Sequence, residues 1–181
     1  MLGLIGHPIG HSLSPRMHNA AFAPHVMEAD AAEYLYVAME VQPDRLSAAV
    51  RGLVALGFVG FNVTMPHKEA ILPLMDKVDT PARLAGAVNT VSVADEGRLR
   101  GLNTDGSGFV EACKEVAVCL EGRRVLVLGA GGTAAAIAVA ALGAGATQLY
   151  IANRTAGKGR ATAVEAFGGR ARNRGSDLSA R

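Results

Sequence analysis

The sequence predicts an α/β protein with a mainly parallel sheet, and three observations support this prediction. Apolar stretches of strand length alternate with stretches of helical apolar spacing along almost the whole chain, and this alternation is typical of sheets built from βαβ units. The aliphatic residues 125–128 are followed by a glycine-rich turn and an alanine-rich helical run. Near residue 105 the composition changes from a mixed half to a half rich in Ala and Gly, which predicts a boundary between domains at residues 1–105 and 106–181.

The first predicted domain begins with three strands, each followed by a helix. The predicted strands are residues 2–6, 33–39 and 58–63. Ser14 followed by Pro15 favours a helix start, so residues 14–28 are expected to be helical, with Ser14 as the N-cap. Residues 44–56 have apolar positions at helical spacing. A short helix is expected after Pro66, where the chain leaves the third strand.

A hairpin follows, and then a second alternation of helices and strands. The hairpin is predicted from residues 87–93 and 98–102, because a short turn that ends in Gly97 separates them. The later elements are expected at residues 106–118 (helix), 125–128 (strand), 134–141 (helix), 148–152 (strand) and 155–167 (helix). The strand at residues 125–128 contains only Val and Leu, which predicts burial on both of its faces.

The composition argues against several classes of partner. The 181 residues are 50% hydrophobic and 19% charged, which suffices for one sizeable core or two smaller ones. The formal net charge of +2 is too small to predict nucleic-acid binding. The uncharged residues 125–147 are long enough to span a bilayer, but five glycines interrupt them. A strand, a turn and a helix explain this run better, so no membrane partner is expected.

The two cysteines predict a reducing environment. Cys113 and Cys119 lie six positions apart in one predicted helical region, where they would point to different faces and could not form a disulfide. We expect both to be reduced, small core residues. No signal peptide is predicted, because the first fourteen residues contain no Lys or Arg. Both observations favour a cytoplasmic protein.

The glycine-rich turn predicts a binding site for the pyrophosphate of a dinucleotide. In such sites a strand, a glycine turn and a helix direct backbone N–H groups and the helix dipole at an anion. The spacing here is G-x-G-G, and Ala134 stands where a third glycine is usual. A tight turn between a strand and a helix, without a ligand, remains the alternative. The residues of the turn are Gly129, Ala130, Gly131, Gly132, Thr133 and Ala134.

Polar side chains also follow the predicted strands of the first domain, where α/β sheets bind ligands. Ser12 and Ser14 place two hydroxyls before a helix, where both could bind one anion; a simple N-cap at Ser14 is the alternative. Thr64 and Lys68 follow the third strand. Lys68 falls in the first turn of the next helix, where the dipole disfavours a cation. We therefore expect its ammonium to be either solvated or held by a carboxylate.

Two further polar positions flank the hairpin. Asn89 interrupts an otherwise apolar strand, so its amide requires hydrogen-bond partners. Asp105 follows the second hairpin strand and begins a predicted helix. The alternative to a role in a binding site is that Asp105 is simply the N-cap of this helix. The histidines do not predict a metal site. His7 and His11 are separated by a proline and a glycine, so they do not share a helix face.

Taken together, these stretches resemble the shikimate dehydrogenase family from Gly3 to about Phe167. Each motif alone is common, but all six in this order are specific. They are S-x-S at Ser12 and Ser14, N-V-T-x-P-x-K ending at Lys68, A-V-N-T at 87–90, G-x-N-T-D at 101–105, G-A-G-G at 129–132 and N-R-T at 153–155.

The resemblance implies a fold and a set of residue roles. It implies an N-terminal three-layer α/β domain that binds shikimate or 3-dehydroshikimate, followed by a Rossmann-type NADP-binding domain. In such enzymes the residues that match Ser12 and Ser14 bind the substrate carboxylate. Those that match Thr64, Asn89 and Asp105 hold the ring hydroxyls. Lys68 and Asp105 would form the catalytic acid–base pair, with Asp105 keeping Lys68 placed and charged.

The end of the second predicted strand of the cofactor domain favours NADP over NAD. An NAD site expects a carboxylate there for the ribose hydroxyls. This chain instead has Asn153, Arg154 and Thr155, with Lys158 one helical turn further on. Two cations without a carboxylate suit a 2′-phosphate.

The expected activity is the NADP-dependent reduction of 3-dehydroshikimate to shikimate, in the pathway to chorismate and the aromatic amino acids. A quinate/shikimate dehydrogenase is the first alternative, and a non-catalytic remnant that binds substrate or NADP is the second. The remnant is considered because family members continue beyond the last residues of this chain, so the cofactor domain is expected to be incomplete. The expected oligomeric state is a monomer or a homodimer, and the resemblance does not decide between them.

Overall fold

A computed structural model of the chain describes residues 1–23 and 34–154. The fold divides into two compact units. The first unit comprises Met1–Val78 and Val88–Leu102, and the second comprises Asp79–Ala87 and Asn103–Arg181. The predicted end of the helix at residues 14–28, the predicted start of the strand at residues 33–39 and the predicted helix at residues 155–167 lie outside the described residues.

The first unit is built on a six-stranded sheet with the order β2-β1-β3-β5-β6-β4. Its strands are β1 (Leu2–Gly6), β2 (Tyr36–Glu40), β3 (Gly60–Val63), β4 (Lys77–Val78), β5 (Thr90–Val93) and β6 (Leu99–Leu102). β1 pairs in parallel with β2 and β3, and β4 pairs in parallel with β6. Only β5 runs antiparallel to its neighbours β3 and β6. The mainly parallel α/β fold that the sequence predicted is confirmed.

Among its described residues, the first unit has three helices between its strands. They are α1 (Ser14–Phe22), α2 (Leu46–Ala55) and α3 (His67–Ala70). A 3₁₀ turn at Pro43–Arg45 leads into α2, and another at Leu72–Leu74 follows α3. α2 buries Leu46, Val50 and Leu53, three of the four apolar positions whose spacing predicted it, and the fourth, Val54, is half-buried. The three buried residues contribute to the core of the unit with strand residues such as Ile5 and Phe61, which are 0% and 2% exposed.

The predicted hairpin is confirmed as β5 and β6. Thr90 pairs with Leu102 and Val93 pairs with Leu99 in antiparallel register. The turn at Asp95–Gly97 contains two residues with positive φ, Glu96 at 63° and Gly97 at 74°. Glycine adopts this conformation without steric cost, which explains the glycine that closes the turn. β4 was not predicted, because a strand of two residues has no periodicity that a sequence could reveal.

Up to residue 154, where the description of the chain ends, the second unit contains three helices and a parallel pair of strands. Its elements are α4 (Thr80–Ala85), α5 (Asp105–Glu115), β7 (Arg124–Leu128), α6 (Gly132–Gly143) and β8 (Gln148–Ala152). β7 and β8 pair in parallel, with Arg124 opposite Gln148 at one end and Leu128 opposite Ala152 at the other. The helix α6 packs against α4 and α5. Small side chains fill that junction, where Ala85, Ala135 and Ala136 form one buried cluster.

Two predictions about burial in the second unit were wrong. β7 is not buried on both faces: Val127 is 8% exposed, whereas Leu126 and Leu128 are 61% and 78% exposed. Alternate residues of a strand point to opposite faces, so Val127 lies on a covered face and Leu126 and Leu128 lie on the exposed one. Cys119 is also exposed rather than in a core, since α5 ends at Glu115 before reaching it. Neither Cys113 nor Cys119 is in a disulfide, as expected.

No helix in the described ranges, residues 1–23 and 34–154, has both the length and the apolar character that a membrane span requires.

Candidate active site

One edge of the six-stranded sheet collects the polar positions that the sequence singled out in the first unit. The parallel strands β1 and β3 end at this edge. The antiparallel strand β5 begins there, because Asn62 of β3 pairs with Thr90 of β5. Ser12 and Ser14 follow β1, Thr64 and Lys68 follow β3, and Asn89 precedes β5. The strand ends therefore bring these predicted site residues to the same side of the sheet.

The serine pair forms a small turn at the start of α1. Ser12 Oγ accepts a hydrogen bond from the backbone N–H of Ser14 at 3.3 Å and lies 3.2 Å from Ser14 Oγ. Leu13 occupies the N-cap position and Ser14 is the first residue of α1, so the N-cap prediction was wrong. The Ser12 hydroxyl, two residues before Ser14, instead forms a turn with the N–H of Ser14. The two half-buried hydroxyls lie together, as binding of one anion requires.

Backbone hydrogen bonds hold Thr64, Lys68 and Asn89 at this edge. The N–H of Thr64 donates to the carbonyl of Ile5 on β1 at 2.9 Å. Lys68 is in the first turn of α3, and its carbonyl accepts from the N–H of Val88 at 2.8 Å. The carbonyl of Asn89, the residue after Val88, accepts from the N–H of Val63 at 2.8 Å. α3 is thus joined to the segment that carries Asn89, which fixes the backbone on both sides of a half-buried lysine.

The buried Asn89 belongs to a network that the sequence did not reveal in full. Its side-chain Oδ1 lies 2.9 Å from Thr90 Oγ1. Thr90 Oγ1 lies 3.0 Å from Asn62 Nδ2, and Asn62 Oδ1 lies 2.7 Å from the hydroxyl of Tyr36. Asn62 sits inside an apolar strand, which is the signal that singled out Asn89. Tyr36 and Thr90 gave no such signal, because both residue types are common in strands.

Tyr36 is anchored on both its backbone and its ring. The amide of Asn19 on α1 donates to the carbonyl of Tyr36 at 2.9 Å and accepts from its N–H at 2.8 Å. β2 is an edge strand. The Asn19 side chain therefore makes the two backbone hydrogen bonds to Tyr36 that a further strand would otherwise make. The ring of His18 stacks on the Tyr36 ring with centroids 4.3 Å apart. These contacts join α1, and the serine turn that begins it, to the strand that bears Tyr36.

Burial raises the pKa of Tyr36 from 10.0 to about 12. Between about pH 10 and pH 12 the folded protein therefore retains this phenolic proton while the unfolded chain loses it. The stability that comes from this difference in proton binding is complete below about pH 10 and is lost as the pH rises toward 12. We expect a spectrophotometric titration to show one of the three tyrosines ionising near pH 12. Tyr36→Phe should remove that step and Tyr34→Phe should not. Loss of the late step from Tyr34→Phe instead would contradict the assignment.

The histidine beside Lys68 has a structural role. His67 is 1% exposed, and its Nε2 lies 2.8 Å from the carbonyl of Val41. Because a carbonyl only accepts, Nε2 must carry the hydrogen, and the ring ties α3 to the segment after β2. Within residues 1–23 and 34–154, no group of three or more His, Cys, Asp or Glu is arranged to hold a metal ion.

In the second unit, Asp105 is held by neighbours on two elements. It is the first residue of α5, and its backbone N–H donates to Asn103 Oδ1 at 3.0 Å. Thr104, not Asp105, occupies the N-cap position, so the prediction of a capping role was wrong. The carboxylate instead accepts from Thr133 Oγ1 at 3.1 Å. Since Thr133 is in the first turn of α6, this bond joins Asp105 to the glycine turn.

The glycine turn has the geometry expected of an anion site at a helix N-terminus. Gly129 has φ 118°, a conformation that favours glycine, and its N–H donates to the carbonyl of Ala152 at 2.8 Å. α6 then begins at Gly132 without a side-chain cap. A twelve-residue helix that begins without a side-chain cap suits a phosphate group at its N-terminus.

The cationic side of this predicted cofactor site is only partly described. Asn153 and Arg154 follow directly after β8, half-buried and exposed respectively. A guanidinium at this position fits the donor chemistry that a 2′-phosphate needs. Thr155 and Lys158 lie outside the described residues.

An α/β unit with polar groups at its strand ends, followed by a strand–glycine turn–helix unit, defines the class of two-domain dinucleotide-dependent enzymes. Family models agree with this class. Residues 4–91 match the shikimate dehydrogenase substrate binding domain, and residues 111–175 match shikimate / quinate 5-dehydrogenase. The chain belongs to the shikimate dehydrogenase family.

Individual relatives agree over most of the chain. The shikimate dehydrogenase (NADP(+)) of Rubrobacter xylanophilus is 58% identical over 158 residues, which cover 87% of this chain and 54% of the relative. That of Moorella thermoacetica is 51% identical over 86% of this chain and 50% of the relative. The solved shikimate 5-dehydrogenase of Thermus thermophilus, in complex with NADP(H) and shikimate, is 40% identical with a TM-score of 0.81, covering 92% of this chain and 60% of that one. The chain spans about half the length of the curated relatives that it matches.

Proposed function

We propose that this chain acts as an NADP-dependent dehydrogenase that interconverts 3-dehydroshikimate and shikimate. The observation that supports it most is the set of polar groups at one edge of the first sheet. The serine turn, Thr64, Lys68 and Asn89 supply an anion site, hydroxyl partners and one ammonium group. A small polyhydroxylated acid is the substrate class that this combination suits. The relatives' names narrow that class to shikimate.

Each group has a proposed role in binding. The hydroxyls of Ser12 and Ser14 bind the substrate carboxylate, which can accept from both because its two oxygens are acceptors only. Thr64 and Asn89 hold the ring hydroxyls, as does Asp105 of the second unit. This division places the charged end of the substrate at the start of α1, where the helix dipole favours an anion.

Lys68 and Asp105 are the proposed catalytic residues. Lys68 donates a proton to the carbonyl oxygen during reduction and removes it again during oxidation. Asp105 favours the charged form of Lys68 and so keeps the proton available. Bound NADPH supplies the hydride, while the protein supplies orientation and electrostatics. The two residues belong to different units, and their assignment rests on the family motifs at 62–68 and 101–105.

The cofactor is proposed to be NADP. The uncapped start of α6 suits the pyrophosphate, and the residues of the turn from Gly129 to Ala134 would surround it. Asn153, Arg154, Thr155 and Lys158 would bind the 2′-phosphate, for which Arg154 provides a guanidinium. A cytoplasmic location fits the reduced cysteines, and the oligomeric state is proposed to be a monomer or a homodimer.

A direct assay of this chain tests the proposal. We expect NADPH absorbance to fall on addition of 3-dehydroshikimate, and NADP to be reduced with shikimate more efficiently than with quinate. A higher kcat/KM for quinate would replace the proposed substrate. Titration calorimetry with shikimate and NADP provides the second measurement. Binding without turnover would identify a non-catalytic remnant, and neither binding nor turnover would reject the function.

A further inference from the structure

Asn103 is a buried polar residue that the proposed function does not use. It is 4% exposed and lies in the turn between β6 and α5. A buried amide requires hydrogen-bond partners, because the loss of its hydration otherwise costs free energy. Nδ2 of Asn103 donates to the carbonyl of Ala87 at 2.8 Å, and Oδ1 accepts from the backbone N–H of Asp105 at 3.0 Å. All three residues belong to the second unit.

The two partners together fix the orientation of the Asn103 amide. A backbone carbonyl can only accept, so the nitrogen must face Ala87. A backbone N–H can only donate, so the oxygen must face Asp105. A flipped amide would place oxygen against oxygen and N–H against N–H, and both hydrogen bonds would be lost. Asn103 therefore has one favourable orientation, in which it joins two backbone segments.

The first of these segments is the end of α4. Ala87 is fully buried, and its N–H donates to the carbonyl of Ala82 in α4 at 3.1 Å. Ala85, two residues earlier, lies in the buried cluster that α4 shares with α6. The carbonyl that accepts from Asn103 thus belongs to a segment that is fixed both by packing and by backbone hydrogen bonds.

The second segment is the first turn of α5. The first N–H groups of a helix have no partner within the helix. Asn103, one residue before the N-cap Thr104, accepts from the N–H of Asp105 and so forms a turn at the helix start. The carboxylate of Asp105 accepts from Thr133 Oγ1 of α6 at 3.1 Å. Asp105 is thereby joined to α4 through its backbone and to α6 through its side chain.

We propose that Asn103 is a positioning residue that fixes Asp105 by joining the start of α5 to the end of α4. The proposal rests on the proposed function, in which Asp105 holds a ring hydroxyl and keeps Lys68 charged. The bond from Thr133 can orient the carboxylate only while the backbone that carries it is fixed. Without Asn103 the first turn of α5 would lose its bond to α4, and the carboxylate would shift. A displacement of about 1 Å can lower an enzymatic rate about a hundredfold.

Two substitutions of Asn103 test the proposal. Asn103→Ala removes both hydrogen bonds. Asn103→Ser retains an acceptor for the N–H two residues further on, as Ser12 does for Ser14 at 3.3 Å, but lacks the amide nitrogen that reaches Ala87. We expect kcat/KM for shikimate to fall about tenfold in Asn103→Ala and about threefold in Asn103→Ser, as for loss of buried hydrogen bonds. The Kd for NADP should not change in either variant.

Ser107 provides the matched control in the same helix start. Its exposed hydroxyl donates to the carbonyl of Thr104 at 3.1 Å. Ser107→Ala therefore removes a polar contact of this turn but keeps the bond from Asp105 to Asn103, and it should retain wild-type kinetics. A loss in Ser107→Ala as large as that in Asn103→Ala would show that any change in this turn impairs the enzyme, and would overturn the specific role of Asn103.

A double-mutant cycle separates positioning from a general loss of folded protein. In calorimetric titrations we expect Asn103→Ala to raise the Kd for shikimate about fivefold. In an Asp105→Ala background the same substitution should change that Kd less than about twofold, because the residue through which it acts is absent. Loss of folded protein would instead reduce the number of binding sites for both shikimate and NADP in both backgrounds. Equal costs of Asn103→Ala with and without Asp105 would overturn the proposal.

Nuclear magnetic resonance of the substrate-free protein gives a readout that does not depend on turnover. We expect the backbone N–H of Asp105 to exchange with water about tenfold faster in Asn103→Ala than in the wild type, and Asn103→Ser to remain close to the wild type. An unchanged exchange rate in Asn103→Ala would overturn the proposal. Should that variant not fold, wild-type kinetics in Asn103→Ser would overturn it, since Asn103→Ser lacks the bond to Ala87. A wild-type chain that neither binds nor oxidises shikimate would reject the function separately, while this exchange rate still decides whether Asn103 holds Asp105.

Discussion

Replacement of Lys68 by alanine is expected to lower kcat for shikimate oxidation about a thousandfold, within the range that general acid–base groups contribute. The lysine lies in the first turn of α3, and backbone hydrogen bonds fix the segments around it. Loss of the amine removes the group proposed to accept the proton during oxidation but leaves those backbone contacts in place. The KM for NADP should therefore change little. Steady-state measurement of nicotinamide absorbance checks both values.

Two further variants separate proton transfer from charge. Lys68→Arg retains a cation, but a guanidinium does not release its proton near neutral pH, so kcat should stay low while shikimate binding partly recovers. Lys77→Ala removes an exposed lysine of the same unit, on β4, and should retain wild-type kinetics. A Lys68→Ala enzyme with the wild-type rate would show that another group accepts the proton during oxidation.

Much of the fold was predictable because local signals and tertiary structure agree. β1 and β8 have the predicted bounds, Leu2–Gly6 and Gln148–Ala152. Each of these two strands is a short apolar run bounded by turn residues, and such a run is typical of a strand. The helix α2 was predicted from its apolar spacing, and it buries three of the four side chains that set that spacing. Agreement between periodicity and packing is the reason that the alternation of strands and helices could be inferred without a structure.

The errors arose where a residue's environment depends on elements distant in sequence. Leu126 and Leu128 are typical of a strand covered on both faces, yet they are exposed. Hydrophobicity alone does not specify which elements cover a strand. The site shows the same limit. Asn89 was singled out as a polar residue in an apolar strand, but its partner Thr90 and the anchor Tyr36 became visible only through the register of β3 and β5.

The close approach of α5 and α6 explains the small residues of the second half. A Cβ added at Gly106 would lie 2.8 Å from the carbonyl oxygen of Ala136 and 2.9 Å from the Cβ of Ala140. The first of these neighbours is backbone and cannot rotate away. A side chain at this position must therefore separate the two helices. Because Thr133 of α6 donates to Asp105 of α5 at 3.1 Å, separation would also disturb a proposed catalytic residue.

We therefore expect Gly106→Val to destabilise the second unit by about 2–3 kcal/mol, as for overpacking of a well-filled core. Gly108→Val is the matched control, since Gly108 is an exposed residue of the same helix and a Cβ there meets nothing within 4 Å. It should stay within about 0.5 kcal/mol of the wild type, because valine forms helices slightly better than glycine. Denaturant unfolding followed by circular dichroism measures both. Equal stabilities of the two variants would mean that α5 can move away from α6 at little cost, and that contact at Gly106 does not determine their spacing.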